Sequence, residues 1–262
     1  ALRAARLRPA FAAAAEVTLV EISEPLRAAQ RDALQGLAEP NWIDRIDQLP
    51  PGPLIVIANE FFDALPIRQF VRSGKGWAER VVGLEGDRLA FGLRPHFSPP
   101  PFIAHESPRP GDFYEIRPSA ETITEQLASR VAADGGAVLA IDYGHAQRGY
   151  GDTLQAVRAH EFDEPLARPG EADLTAHVDF AALAETAAKA GVLVRPIIDQ
   201  ATLLERLGIA ARAEALARDK DRAVQSSIVA AVDRLTHADQ MGTLFKALAF
   251  SSSGLSLPGF DT

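Results

Sequence analysis

Leu54–Ala58 (LIVIA) runs without a break into Asn59-Glu60-Phe61-Phe62-Asp63, and Pro50-Pro51-Gly52-Pro53 stands just before it. A short apolar run between turn formers and an acidic, aromatic stretch reads as a buried strand. Upstream, Val17–Ile22 (VTLVEI) reads as a buried parallel strand. Ser23-Glu24-Pro25 then starts a helix: Ser caps, Glu suits the positive helix N-terminus, and Pro is tolerated in the first turn. The spacing predicts that Leu26, Ala29, Ala33, Leu34 and Leu37 line its buried face, with Gly36 helping to end it. Asn41–Ile46 is a weaker strand. Downstream, Ser119 is expected to cap a helix with Ile123, Leu127 and Val131 on one side, closed near Gly135-Gly136. Ala137–Ile141 is a third buried strand, ending in Asp142-Tyr143-Gly144. Asp179–Ala190 reads as a helix, Val192–Ile198 as a strand, and Phe245–Phe250 as a last strand after helices that run to about His237. Strand and helix alternate, the pattern of a parallel α/β sheet.

Into this pattern an antiparallel section is inserted. Ile67–Arg72, Trp77–Leu84 and Arg88–Leu93 alternate around Ser73-Gly74-Lys75-Gly76 and Glu85-Gly86-Asp87, which predicts hairpins. Ser98–Pro101 and Ser107–Gly111 read as loops, and the aperiodic stretch His145–Leu174 as a long functional loop. The opening ALRAARLRPAFAAAA is Arg-rich and acid-poor like a transit peptide, yet Leu2, Leu7 and Phe11 suit a buried helix that leads at once into a strand. The opening is therefore expected to be a truncated domain entered in mid-helix.

Composition narrows the function. Of 262 residues, 47% are hydrophobic and 24% charged, which argues against a disordered or fibrous chain. No apolar run approaches the ~20 residues of a membrane-spanning helix, so no membrane insertion is expected. With Cys 0, a disulfide framework, a thiolate zinc site and a cysteine nucleophile are excluded. A net charge of −8 disfavours nucleic-acid binding through phosphate contacts and suits a cationic or neutral partner. The basic residues are 23 Arg and 4 Lys, read as the codon bias of a GC-rich bacterial genome and hence as a bacterial cytoplasmic protein.

In open α/β sheets ligands sit outside the carboxyl ends of the strands, so the residues after each strand are the candidates. Glu21 ends the first; two carboxylate oxygens match two vicinal ribose hydroxyls, or the charge simply serves the helix that Ser23 starts. Asn59, Glu60 and Asp63 with two Phe rings follow the next, a setting that suits a guanidinium or ammonium. Alternatively the rings are core and the acids cap the following turn. His145, His160, His177, Asp142, Asp152, Asp173 and Asp179 form a loose set without tight metal-ligand spacing, so a metal hydrolase ranks last and no metal is expected. There is no GxSxG elbow and no Walker loop.

At ANEFFDALPIRQF (Ala58–Phe70) the chain resembles the MidA-like class I methyltransferases, which use S-adenosylmethionine. VEISEPLR (Val20–Arg27), IDYG (Ile141–Gly144), GDTLQA (Gly151–Ala156), PGEADLTAHVDF (Pro169–Phe180) and MGTLFKALAFS (Met241–Ser251) fit the family in its order. The resemblance implies a seven-stranded Rossmann-like α/β sheet with inserted antiparallel hairpins and extra helices. It implies a single domain over residues 1–262 lacking its N-terminal part, a β insertion over 67–118 and a helical region over 200–240. It makes Glu21, with Ile22 beside it, the ribose binder, and puts Trp42, Ile43 and Asp44 beside the adenine. Asn59 would sit near the methionine part, with Glu60 and Asp63 beside an incoming guanidinium, where either carboxylate polarises it or accepts its proton.

The mitochondrial family member assists assembly of respiratory complex I by dimethylating an arginine of one subunit, so the expected partner is a protein substrate of that kind, and the matrix is the expected compartment in a eukaryote. The family's Gly-rich loop after the first strand is absent from these residues. This stretch by itself is therefore expected to bind S-adenosylmethionine weakly or not at all. The rival readings are a non-catalytic assembly factor that holds a partner subunit in the same groove, and a methyltransferase for a small molecule or another side chain.

Overall fold

A computed structural model describes residues 2–74, 76–96, 107–159 and 161–261. They divide into two units, Ala1–Gly52 and Pro53–Thr262. The loop expected at Ser98–Pro101 lies outside the described residues, as does His160.

The first unit contains α1 (Leu2–Ala5), α2 (Pro9–Ala14), β1 (Thr18–Val20), α3 (Glu24–Leu34) and β2 (Asn41–Ile43). β1 and β2 pair in parallel, Thr18 with Asn41 and Val20 with Ile43. The Ser23 hydroxyl accepts the Leu26 N–H to cap α3, and Gly36 at φ +68° follows its end. The opening is not one buried helix. Pro9 starts a second helix, since it has no N–H with which to continue the first. Leu7 and Phe11 are 82% and 46% exposed. The expected apolar face of α3 is also displaced: Leu26, Ala29 and Ala33 are exposed, while Arg27, Gln30 and Leu34 are half-buried. Hydrogen bonds from Arg27 and Gln30 to the strand ends fix that rotation. β2 is shorter than expected, because the chain turns into a 3₁₀ turn, Ile46–Gln48, whose Gln48 side chain accepts the N–H groups of Asp44 and Arg45.

The second unit is built on β8 (Gly136–His145). Along one edge β3 (Leu54–Asn59) pairs in parallel, from Leu54 with Gly136 to Asn59 with Ile141. β12 (Val178–Asp179) continues that edge beside Gly144 and His145. On the other edge lies β15 (Phe245–Ser251), antiparallel, from Phe245 with Tyr143 to Ser251 with Ala137. β15 in turn holds β13 (Leu193–Val194) and β14 (Ile198–Asp199). The strand expected over Val192–Ile198 is split in two because Pro196 has no N–H for the ladder.

Helices α4 (Pro118–Asp134) and α5 (Phe180–Lys189) pack on this sheet. Ala58, Phe62, Ala140, Val178, Phe180, Leu183 and Leu248 fill the space. Full burial of a side chain such as Phe180 or Leu183 contributes ~1.5–3 kcal/mol. β3 is buried on one face only: Ile55 and Ile57 are 70% and 54% exposed, against the expectation of a fully covered strand. Ser119 does not cap α4. Pro118 opens that helix, Arg117 holds the cap position, and Ser119 lies in the first turn. Helices α6 (Gln200–Arg206), α7 (Ile209–Ala217) and α8 (Arg222–Thr236) follow, with Leu203 of α6 buried.

A separate antiparallel sheet has the order β6-β5-β4-β7, from β4 (Arg68–Ser73), β5 (Gly76–Glu85), β6 (Arg88–His96) and β7 (Phe113–Ile116). Phe70, Trp77 and Tyr114 form its core. The aperiodic stretch after His145 is not a long loop. It holds three short strands, β9 (Gln155–Arg158), β10 (Glu161–Asp163) and β11 (Asp173–Thr175), paired antiparallel around β9.

Gly136 sets the junction of β3 and β8. At φ +121° it adopts a conformation L side chains avoid, and an added Cβ would meet the Leu54 carbonyl oxygen at 1.9 Å. Gly136→Ala is expected to destabilise the protein by about 2–4 kcal/mol in urea denaturation, combining backbone strain with a clash that parts the two strands.

Candidate active site

Where β3 ends, the chain turns sharply. Glu60 takes φ +48°, rare for a residue with a side chain, while its N–H still bonds the Ile141 carbonyl at 3.0 Å. The next three N–H groups, of Phe61, Phe62 and Asp63, converge on one oxygen, Asp142 Oδ2, at 3.2, 3.1 and 3.2 Å. Asp142 Oδ1 accepts the Tyr143 N–H at 3.0 Å. Asp142 is fully buried in the second half of β8. Burial and the nearby Asp63 carboxylate push its carboxyl up to about 7, and the backbone donors pull the other way. Phe62 locks the loop from below, buried in the core and edge-to-face with Phe61.

The loop sorts its polar groups by exposure. Asn59 and Glu60 face solvent, with the Asn59 amide donating to Glu60 Oε1 at 3.1 Å. Asp63 is only 6% exposed. Its Oδ2 accepts the Tyr143 hydroxyl at 2.7 Å, and its Oδ1 is buried with no hydrogen-bond partner among the described residues. Arg117, also buried, ties the loop to the start of β12: it donates to the carbonyls of Leu65, Asp63, Ala176 and His177 at 2.9–3.3 Å. Burial lowers its pKa, and Asp142, Glu115 and Asp63 oppose that shift. Burial, and Asp63 beside it, push the Tyr143 phenol well up, so it stays a donor.

In the first unit, Glu21 follows β1. Its Oε1 accepts the Ser23 N–H at 2.8 Å and its Oε2 the Gln30 amide at 3.3 Å. Gln30 in turn accepts the Trp42 indole N–H at 2.9 Å. Arg27 joins the Glu21 carbonyl, at 2.7 Å, to Asp44, at 2.6 Å. Thus Glu21, Trp42 and Asp44 lie in one hydrogen-bonded group. Ile22 stands 77% exposed beside it, and Ile43 is half-buried in β2. Each Glu21 oxygen keeps a lone pair for a ribose hydroxyl, so these residues fit an adenosine group.

The structure therefore gathers the expected residues locally: Glu21, Trp42 and Asp44 around α3, and Asn59, Glu60 and Asp63 on the loop after β3. It does not gather the loose His/Asp set. Among the described residues no group of three or more His, Cys, Asp or Glu has metal-binding geometry. Asp179 caps α5, Asp152 pairs with Arg80, and the His177 ring packs edge-on against Tyr143. The sequence reading missed the supporting roles of Asp142, Tyr143 and Arg117. The IDYG motif pointed to the first two, whereas Arg117, a lone Arg before Pro, carried no signal.

Residues 1–198 match the family model described as a putative S-adenosyl-L-methionine-dependent methyltransferase. The chain is 37% identical over 211 residues to the protein arginine methyltransferase NDUFAF7, mitochondrial, of Xenopus tropicalis, covering 78% of this chain and 48% of that protein. It is 35% identical over 214 residues to the human protein of that name, covering 80% and 48%. The chain thus spans about half the length of the curated relatives it matches. Among solved structures, an uncharacterized superfamily protein from Burkholderia thailandensis superposes with TM-score 0.82 at 28% identity, over 99% of this chain and 73% of that one. A second superfamily member from the same organism, bound to S-adenosyl-homocysteine, superposes with TM-score 0.76 at 27% identity, over 94% and 65%. The mixed sheet with its inserted hairpins and added helices is a Rossmann-like class I methyltransferase fold.

Asp142 is the support of the loop whatever the loop binds. Asp142→Ala strands the N–H groups of Phe61, Phe62 and Asp63, the last two buried, and is expected to cost on the order of 3 kcal/mol in denaturant unfolding. The acid also gives stability a pH dependence. Its pKa rises from 3.8 to about 7 on folding, so the folded chain binds the proton more tightly. Stability from this group is full below the unfolded value and falls as pH rises through that window. Asp142→Asn, whose carbonyl can still accept the three N–H groups, should lose less stability than Asp142→Ala and lack that slope.

Proposed function

We propose that this chain, which belongs to the family of putative S-adenosyl-L-methionine-dependent methyltransferases, methylates an arginine side chain of a protein, and that the substrate is a subunit of respiratory complex I. The observation that carries the reading is the buried Asp63 Oδ1, which has no donor among the described residues and lies next to the exposed Glu60 and Asn59. A desolvated carboxylate oxygen with no partner is costly, ~1–3 kcal/mol. A guanidinium N–H supplies the missing donor, and the acidic loop selects a cation. The relatives named as protein arginine methyltransferases support the same choice.

S-adenosyl-L-methionine, when bound, supplies a methyl group on a positively charged sulfur that leaves as a neutral thioether. In the first unit Glu21 would hold the ribose hydroxyls, and Trp42, Ile43 and Asp44, with Ile22 adjoining, would serve the adenine; on the loop after β3, Asn59 would serve the methionine part. Glu60 and Asp63 orient the guanidinium, and alignment of the acceptor nitrogen supplies most of the rate. As that nitrogen gains a methyl group it loses a proton, and Asp63 Oδ1 is the base that takes it. The same chemistry serves in a bacterial cytoplasm or, in a eukaryote, in the mitochondrial matrix. No helix among the described residues is long and apolar enough to cross a membrane.

The test is methyl incorporation from labelled S-adenosyl-L-methionine into a candidate complex I subunit by the full-length protein. Asp63→Asn is expected to lower turnover ~10²-fold or more, the usual contribution of a positioned base, and Glu60→Gln to lower turnover at limiting substrate through a raised KM. Wild-type turnover in both variants would refute the reading. Tight binding of the subunit with no incorporation would favour a non-catalytic assembly factor.

A further inference from the structure

Asp63 is held at almost every polar atom. Its N–H goes to Asp142 Oδ2 at 3.2 Å, and its carbonyl accepts from Arg117 Nη2 and from the Ala176 N–H, both at 3.2 Å. The backbone is thus fixed from both sides. The carboxylate is left to rotate about its side-chain torsions, and Tyr143 removes that freedom. The phenol donates to Oδ2 at 2.7 Å. Its ring is itself wedged edge-on between His177, at 5.6 Å, and Phe245, at 5.5 Å. Its backbone lies mid-sheet in β8, paired with Phe245 and bonded to Asp142 Oδ1.

We propose that Tyr143 is the positioning residue of the methyl-acceptor site, and that by occupying Asp63 Oδ2 it leaves Oδ1 as the one oxygen offered to the incoming guanidinium. This rests on the arginine-methylation reading above and deepens it. A carboxylate with both oxygens free pairs with a guanidinium as a two-point fork, which ties up both terminal nitrogens. A carboxylate with one oxygen free takes a single N–H and directs deprotonation to one nitrogen. Glu60, exposed and bonded among the described residues by the Asn59 amide at one oxygen, is then the group that steers the cation in. The division assigns capture to Glu60 and alignment to Asp63.

The role predicts a separation that mere structural support does not. In Tyr143→Phe, Asp63 regains both oxygens and forms the fork, so substrate binding holds or tightens while alignment is lost. Turnover should fall ~10- to 100-fold with KM unchanged or lower, the pattern of an interaction that matters only in the transition state. Incorporation of 3-fluorotyrosine at Tyr143 keeps the ring and strengthens the donor, so it covers the case in which Tyr143→Phe fails to fold; there turnover and KM should stay near the wild-type values.

Unchanged turnover in Tyr143→Phe, with Asp63→Asn inactive in the same assay, would overturn the role of Tyr143 and leave the acceptor role of Asp63 intact. A ~10-fold or larger fall in turnover in the fluorinated protein would do the same. Wild-type turnover in Asp63→Asn would bring down both readings together.

Discussion

One buried carboxylate organises the second unit's chemistry. Asp142, in the second half of β8, gathers the N–H groups of Phe61, Phe62 and Asp63 on a single oxygen. Backbone donors leaving a strand are normally satisfied by the next ladder or by water. Here the strand has ended, the loop is partly buried, and one acid supplies the acceptor for all three. The constraint also explains Glu60. To bring three successive amides round to one point the chain must reverse at once, and Glu60 takes the left-handed conformation that permits it.

The rest of the site inherits its geometry from that anchor. With its amide fixed to Asp142 and its carbonyl to Arg117, Asp63 has a set position, and Tyr143, the next residue of β8, completes it. Strand, loop and side-chain partner come from two parallel neighbours, β3 and β8, whose register from Leu54 with Gly136 to Asn59 with Ile141 fixes how far the loop lies from the phenol. A close backbone approach at Gly136, rather than a cluster of large side chains, secures that register. Packing, pairing and chemistry are therefore coupled through the same residues.

Much of this was legible in the sequence, for identifiable reasons. LIVIA with its flanking prolines, the hairpin turns around Gly74 and Gly86, and the Ser23 cap are local signals that tertiary context did not override. The loop acids stood out because carboxylates and rings followed directly on a strand. What failed depended on partners distant in sequence. The buried side of α3 was misassigned because Arg27 and Gln30 bond to strand ends, an effect invisible to apolar spacing. The small sheet around β9 escaped because its strands are short, carry no sustained alternation and are interrupted by a long turn. Arg117 serves carbonyls over 50 residues away on either side of it in the chain, and nothing near it in sequence announces that. Ile55 and Ile57 were expected to be covered, and their exposure follows from which neighbours β3 has, not from its composition.

The most direct test of the anchor is amide hydrogen exchange at Phe61, Phe62 and Asp63. Residues of a loop exchange rapidly unless their N–H groups are bonded and buried. If Asp142 holds them, all three should be protected to the level of the central β8 and β15 amides. Exchange at the rate of an open loop, with β8 still protected, would contradict the account.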